Sequence, residues 1–294
     1  MRVITLSSSD PYANLAAERH IFENAIFGEK ALLLYVNRPC VVVGRSQNPW
    51  RECNLFRMAG LGLPLVRRYT GGGTVYHDPG NLNFAFISPR ESYDKTRNAE
   101  LVASALAGLG IEAAVNERND LTVCERKFSG SAYRLTKERA LHHGTILVDA
   151  DLAALRSVLK PSFPGIESRG VASVSSPVIA LSELIPGLEI SAIEDALAAE
   201  VGGVRESLSA EDLVYRESAA AADAFRGWEW RFGKTPRFSF PLPGRNDGSA
   251  RLQVEHGRLS GIEGAAAAES AEEWRGHIGK KLDQIGNLSL LQID

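Results

Sequence analysis

The chain has 294 residues, 44% hydrophobic and 23% charged, with a formal net charge of −3. That length fits one large domain, or one large and one small, with enough apolar residues to fill a core. The charge balance excludes a general nucleic-acid binder, although a local basic site stays open. Cys40, Cys53 and Cys124 form no CxxC pair and no zinc spacing, and so odd and sparse a count fits a reducing compartment better than a disulfide scaffold. The opening MRVITLSSSDP lacks the features of a secretory or organellar leader, and no apolar run reaches the ~18–20 residues of a membrane span. The expectation is a cytoplasmic protein with neither nucleic acid nor membrane as a partner.

In chain order, Val3–Leu6 reads as a strand. Asp10-Pro11 opens a helix whose apolar face holds Leu15, Ile21, Phe22, Ala25 and Ile26, with Gly28 at its end. The runs ALLLYVN (31–37) and CVVVG (40–44), split by Arg38-Pro39, are strand–turn–strand. Residues 48–60 read as one short helix opened by Asn48-Pro49, and LPLVRRY (63–69) as a strand. NFAFIS (83–88) is another strand, and Asn98–Leu109 has helical apolar spacing. Short strands follow from Ile111 to Val148: IEAAV, DLTVC, KFSGSAYRL and ALHHGTILV. Helices are expected over Asp151–Leu159 and Ser191–Val201. PLPGRNDGS (241–249) reads as a linker, with a hairpin around His256-Gly257 and a helix over Ala271–Ile285 beyond it. The mixed order of elements makes the fold α+β rather than regular βαβ.

Three patches carry the chemistry. RRYTGGGTVYHDPGNLNF (67–84) sets three glycines after two arginines. Alone it is a flexible loop or a concave anion site built from glycine amides and a guanidinium. GxGxxG and GxxxxGK[ST] are both absent. Strand alternation turns Arg67 and Arg68 to opposite sides, one toward a site and the other toward solvent. His77-Asp78 opens strong turn chemistry, and His77 reads better as a loop-orienting group than as a base. In ERNDLTVCERKFSGSAYR (117–134), Lys127 is either one more exposed cation or an ammonium aimed into a pocket to meet a phosphate or a carbonyl oxygen. Asn119-Asp120 could hold magnesium, which typically takes one carboxylate plus substrate phosphates. His142-His143 alternates faces, so packing and hydrogen bonding suit it better than a metal. SRGVASVSSPV (168–178) is a surface loop or a cover over a nucleotide. WEWRFGKTPRF (228–238) reads as a strand with two tryptophans on one side, seated in the core or between domains.

Taken together, GRSQNPWRECN, RRYTGGGTVYHDPGNLNF, RNDLTV, RKFSGSAYR, HHGTILVDADL, RGVASV and WEWRFGKTPRFS closely resemble lipoate–protein ligase A and the related lipoyltransferases. They stand in the family's order and cover about Met1 to Phe240. The resemblance implies a large catalytic domain like that of the biotin and lipoate ligases over 1–240. It has mixed β-sheets and flanking helices. A linker (241–249) and a small, shortened C-terminal accessory domain (250–294) follow.

The resemblance also implies roles. Lys127 is catalytic, meeting the lipoyl carbonyl and the α-phosphate. Arg68, Gly73, Thr74, Val75 and Tyr76 contact the nucleotide, and Arg169, Gly170, Val171, Ala172, Ser173 and Val174 form the adenylate loop. Gly71, Gly72, Gly73, Lys127 and His143 line the lipoate site. His77 and Asp78 support the loop, and Asn119 and Asp120 lie at the magnesium and phosphate region. The implied reaction is ATP-dependent activation of lipoate to lipoyl-AMP, then transfer to a lysine of an acceptor. Acceptors would be apo-lipoyl domains of 2-oxoacid dehydrogenase E2 subunits, the glycine-cleavage H protein, or another lipoate carrier. Two alternatives stay open: a lipoyltransferase using pre-formed lipoyl-AMP, and a non-catalytic module that binds the adenylate. No cysteine follows Cys124, so a cysteine-thioester octanoyltransferase is disfavoured, and the missing GRGRxG disfavours biotin ligation.

Overall fold

The computed structural model describes residues 1–24, 30–209, 217–243, 250–264 and 274–285. Strands β1 (Arg2–Leu6), β2 (Ala31–Val36), β6 (Asn81–Pro89), β10 (Ser131–Leu135), β11 (Arg139–Leu147) and β13 (Arg205–Leu208) make the largest sheet, in the order β10-β11-β6-β2-β1-β13. β1 runs parallel to both neighbours and the remaining pairs are antiparallel. Both faces of β2 are buried, which is why ALLLYV reads as a continuous apolar run rather than an alternating one. Leu32 and Leu34 join a core with α4 (Lys95–Ala107) and α6 (Ile190–Glu200). Leu33 and Tyr35 turn the other way, to Ala17, Ile21 and Phe22 of α1 (Pro11–Asn24).

A smaller mixed sheet sets β3 (Cys40–Val43) between β4 (Leu65–Arg67) and β5 (Val75–His77). A third joins β7 (Ala114–Val115), β8 (Leu121–Val123) and β9 (Arg126–Ser129). The fourth, β12-β14-β15-β16, comprises Glu167–Ser168, Phe238–Pro241, Ala250–Glu255 and Arg258–Gly264. Its apolar face shares one core with the small sheet: Val41, Val43 and Tyr76 join Trp50, Phe232, Phe240, Leu252 and Leu259. β14 runs through the expected boundary at 240/241 and pairs with β15, and residues 244–249 of the expected linker lie outside the described residues. Among the described residues no helix is long and apolar enough to cross a membrane.

The α+β class is observed. Most expected elements are present, and several differ for local reasons. The helix expected over 48–60 is two, α2 (Pro49–Glu52) and α3 (Leu55–Gly60). Asn48 and Asn54 each cap a separate start, and Cys53 between them is extended. KFSGSAYRL is two strands in different sheets, turning at Gly130. The tryptophan segment is not a strand: Glu229–Gly233 forms a π-helical turn. Trp228 goes to Asp283 and Trp230 to the carbonyl of Arg67. The helix expected over 271–285 does not continue past residue 275, where Gly276 and Gly279 (φ 87°) give turns. Residues 271–273 of it lie outside the described residues, as do Ala25, Ile26 and Gly28 at the expected end of the first helix. The hairpin turns at His256 and Gly257, both at positive φ, as a tight two-residue loop requires. α5 (Leu152–Val158) starts at an Asp151 cap, and α7 (Glu217–Arg226) was not anticipated.

Candidate active site

Between the largest sheet and the small sheet lies a cavity of about 310 Å³. Tyr35, Asn83 and His143 line it from the large sheet, and Val42, Val75 and His77 from the small one. Its inner end is buried, whereas Arg118, Val171 and Val174 at the other end are exposed. A second cavity of about 610 Å³ adjoins it, bounded by Tyr76, by Leu155 and Arg156 of α5 and Leu159 at its end, and by residues 172–178. Thr74, Val75, Lys127, Gly130, Thr145 and Ala172–Val174 line both. A ligand with an apolar tail and a large polar head could therefore lie across the two, with Lys127 at the junction.

Arg68 organises the glycine turn. It is buried, and its guanidinium donates to the carbonyls of Gly71 and Gly73 at 2.6 Å each, to Val42 at 3.2 Å and to Thr70 Oγ1 at 3.1 Å. Burial pushes its pKa down to about 10, still far above neutrality. Its charge faces the cavity while most of its donors hold the turn closed. Arg67 overturns one expectation, because it is not solvated. It is fully buried and binds the carbonyls of Gly44, Arg45, Gln47, Trp230 and Arg231 and the hydroxyl of Thr235. The turn also needs a bare partner: a Cβ on Gly44 would stand 2.3 Å from the carbonyl oxygen of Gly72.

Lys127 Nζ pairs with Asp120 Oδ1 at 2.8 Å. A Cβ on Gly130 would meet Lys127 Cε and Nζ at 2.9 Å, so this glycine makes room for the lysine side chain. The lysine backbone is bonded to the far end of the Gly/Ser-rich loop, from its N–H to Pro177 O and from Ile179 N–H to its O. The near end of that loop starts from β12, which pairs with β14. Between these ends, Arg51 holds Gly170 O, Glu52 accepts from Ser173 N–H, and Gln47 Nε2 donates to Ser173 Oγ at 3.0 Å. Ser173 Oγ also accepts from Thr74 N–H at 2.8 Å. The loop thus rests on the glycine turn, and its serine holds an amide of that turn.

Toward the buried end, His143 Nε2 meets Thr70 Oγ1 at 2.7 Å and its Nδ1 meets Glu18 at 2.9 Å. Tyr35 O–H donates to the same carboxylate. Glu18, Tyr35, Thr70, Gln47 and Glu52 were not anticipated. Glu18 had a readable signal: it sits three residues from both Leu15 and Ile21, on the apolar face of α1. Asp78 accepts from Gly80 N–H and Asp151 N–H, joining its turn to the start of α5. Of the anticipated residues, Arg68, Gly72, Gly73, Thr74, Val75, His77, Asp120, Lys127, His143 and Val171–Val174 line the first cavity, and Tyr76 lines the second. Gly71, Asn119, Arg169 and Gly170 line neither. Cys124 is exposed at the β8–β9 turn, while Cys40 and Cys53 are buried thiols with pKa values pushed up by desolvation.

A cavity between two sheets, a glycine turn and a lysine beneath a docked loop make up the site. Residues 10–202 match the family model of the lipoyl protein ligase A/B catalytic domain, and the chain belongs to that family. Among similar solved structures, LipL1 of P. falciparum in complex with lipoate is 26% identical, with a TM-score of 0.71 over 89% of this chain and 83% of that one. A lipoate-protein ligase A bound with ATP is 25% identical, with a TM-score of 0.64 over 79% and 98%. A bi-partite lipoate protein ligase of Thermoplasma acidophilum, described with its E2 lipoyl domain, is 25% identical, with a TM-score of 0.65 over 78% and 95%.

Proposed function

We propose that this protein is a lipoate–protein ligase, which makes lipoyl-AMP from lipoate and ATP and passes the lipoyl group to a lysine of an acceptor protein. The observation that carries this reading is Lys127 at the junction of the two cavities. We assign the inner cavity to the acyl tail and the outer one to the nucleotide; similar proteins are described in complex with lipoate and bound with ATP. In the first step a lipoate carboxylate oxygen attacks the α-phosphorus and pyrophosphate leaves. In the second the acceptor amine attacks the acyl carbon, AMP leaves, and the amine loses a proton. Negative charge develops first on the α-phosphate and then on the acyl oxygen, and one fixed ammonium serves both positions. The Gly73–Thr74 backbone and the charge of Arg68 add to the same field.

Asp120 keeps Lys127 oriented through one carboxylate oxygen. The other oxygen suits a magnesium ion carried on the phosphates, which would offset their charge. The described residues hold no group of three His, Cys, Asp or Glu that could bind a metal unaided, so magnesium would enter with ATP. The 169–174 loop would cover the adenylate once Ser173 yields the Thr74 amide. An E2 lipoyl domain is the expected acceptor class, by analogy with the T. acidophilum relative. The test is incubation of the protein with lipoate, ATP, magnesium and a panel of apo-acceptors, read by intact mass and pyrophosphate release. One added lipoyl group that depends on ATP is the expected result. Transfer from supplied lipoyl-AMP without pyrophosphate release from ATP would instead make it a transferase, and adenylate binding with no transfer would make it a non-catalytic module.

A further inference from the structure

At the buried end of the inner cavity, His77 carries a hydrogen-bond donor that the protein leaves unused. Its direction is fixed by a relay of amides. Asn14 Nδ2 donates to Ser8 O at 2.8 Å and to Asn37 Oδ1 at 2.9 Å. A backbone carbonyl only accepts, so the Asn14 atom in both contacts is its nitrogen. Asn37 therefore accepts through Oδ1, and its Nδ2 donates to His77 Nδ1 at 2.9 Å. A neutral imidazole that accepts at Nδ1 carries its proton on Nε2. Burial, reinforced by the charge of Arg68 and by neighbouring His143, pushes the His77 pKa down to about 3, so the ring stays neutral. Nε2 is buried and meets no hydrogen-bond partner, while the ring lines the cavity with Leu15, Tyr35 and Val42. Buried polar groups in folded proteins are nearly always paired, and an orphaned atom on a ring that lines a cavity points to a ligand that completes it.

We propose that His77 is a specificity-determining residue, whose Nε2–H donates to an acceptor atom in the distal part of the acyl tail and so selects a sulfur-bearing acid such as lipoate over a saturated acid such as octanoate. This rests on the acyl-binding reading of the inner cavity given above. The two acids have chains of the same length, so an apolar slot alone separates them weakly. A dithiolane sulfur offers lone pairs to an N–H, although it is a weak acceptor. An alkyl tail offers none, so with it bound the donor stays buried and unpaired, the costly arrangement that a sulfur acceptor relieves. A pocket built around a hydrogen bond rejects the analogue that lacks it.

The test uses the full-length protein. Lipoate and octanoate are titrated calorimetrically without ATP, and their kcat/KM values for pyrophosphate release are compared in wild type, His77→Gln and His77→Leu. Wild type is expected to favour lipoate by about 10-fold or more, the equivalent of one buried donor left unpaired. The ratio should fall toward one in His77→Leu and be partly retained in His77→Gln, which keeps an N–H. Equal affinities in wild type, or an unchanged ratio in His77→Leu, overturn the proposal. A measurement on unmutated protein guards against a misfolded variant. In ¹⁵N-histidine NMR, one ring should be an Nε2–H tautomer, absent from His77→Gln, whose proton shifts with lipoate and not with octanoate. An Nδ1–H tautomer, or equal shifts with both acids, also overturns it. Selective binding without turnover would sink the ligase reading and leave this one standing. Turnover without selectivity would do the reverse, and binding of neither acid would remove both.

Discussion

Replacing Arg67 with lysine keeps the charge and most of the length but removes the planar fork. Arg67 is fully buried and serves six acceptors: the carbonyls of Gly44, Arg45, Gln47, Trp230 and Arg231, and Thr235 Oγ1. An ammonium has three donors, so at least half of these groups lose their partner. Each orphaned buried acceptor costs about 1–3 kcal/mol, and relaxation makes the sum less than additive. A loss of about 3–5 kcal/mol is the expected size, comparable with breaking a buried charge network. Against a total stability of about 5–15 kcal/mol, and at about 2–4 °C per kcal/mol, the melting temperature should fall by roughly 6–20 °C. The assay is thermal unfolding followed by circular dichroism at matched concentration. A variant that melts within about 2 °C of wild type would refute the view that Arg67 staples β4 to the 44–47 turn and to the segment after α7.

Lys127→Ala should lower ligation by about 10²–10³-fold, as removal of a charge-stabilising donor does, while the protein still folds and melts cooperatively; initial rates and a melt read both. Gly130→Ala should reduce kcat without unfolding the protein, because its Cβ would displace Lys127 Cε and Nζ, the flexible end of that side chain, from 2.9 Å. The buried His77, held near pKa 3 against an ordinary 6.5, is neutral in the folded state, whereas the unfolded chain takes up its proton below pH 6.5. The penalty is thus absent above pH 6.5 and grows by about 1.4 kcal/mol per unit as pH falls toward 3. His77→Gln should accordingly gain on wild type in denaturant melts from pH 6.5 to 4.5, and parallel curves would contradict this. Ending the chain after residue 249 would strip β15 and β16 from β14 and uncover Trp50, Phe238 and Phe240 in the shared core. Insoluble or molten protein is expected, and a cooperative melt near that of the full chain would count against it.

Much of this was legible because the signals were local. Asn48-Pro49 marked a helix start, and the apolar runs at 31–37 and 40–44 marked two strands. The glycine turn and Lys127 stood out because three bare residues after two cations are costly without a use. Cap residues were also misread where a second one was missed: Asn54 restarts a helix that the spacing ran straight through. The alternation rule separated Arg67 from Arg68 correctly but assigned the wrong environment to Arg67. A guanidinium becomes a core residue once enough carbonyls converge on it, and two of those carbonyls come from sequence positions more than 160 away from it. The same limit hid the His77 relay, whose members Ser8, Asn14, Asn37 and His77 are joined only by the packing of α1 against β2 and β5.

The loop over residues 169–176 shows what distance in sequence conceals. One end leaves a two-residue strand, β12, too short for any periodicity to announce, and pairs with a strand 70 residues later. The other end is bonded to the backbone of Lys127, 50 residues earlier. Any shift of β14 is therefore felt where the loop begins, and any shift of the loop's far end is felt at Lys127 itself. The C-terminal strands share a core with the small sheet that carries the glycine turn. Loop, turn and lysine consequently rest on one packed body, and Ser173 spans loop and turn by holding the Thr74 amide, for which a nucleotide bound as proposed would compete.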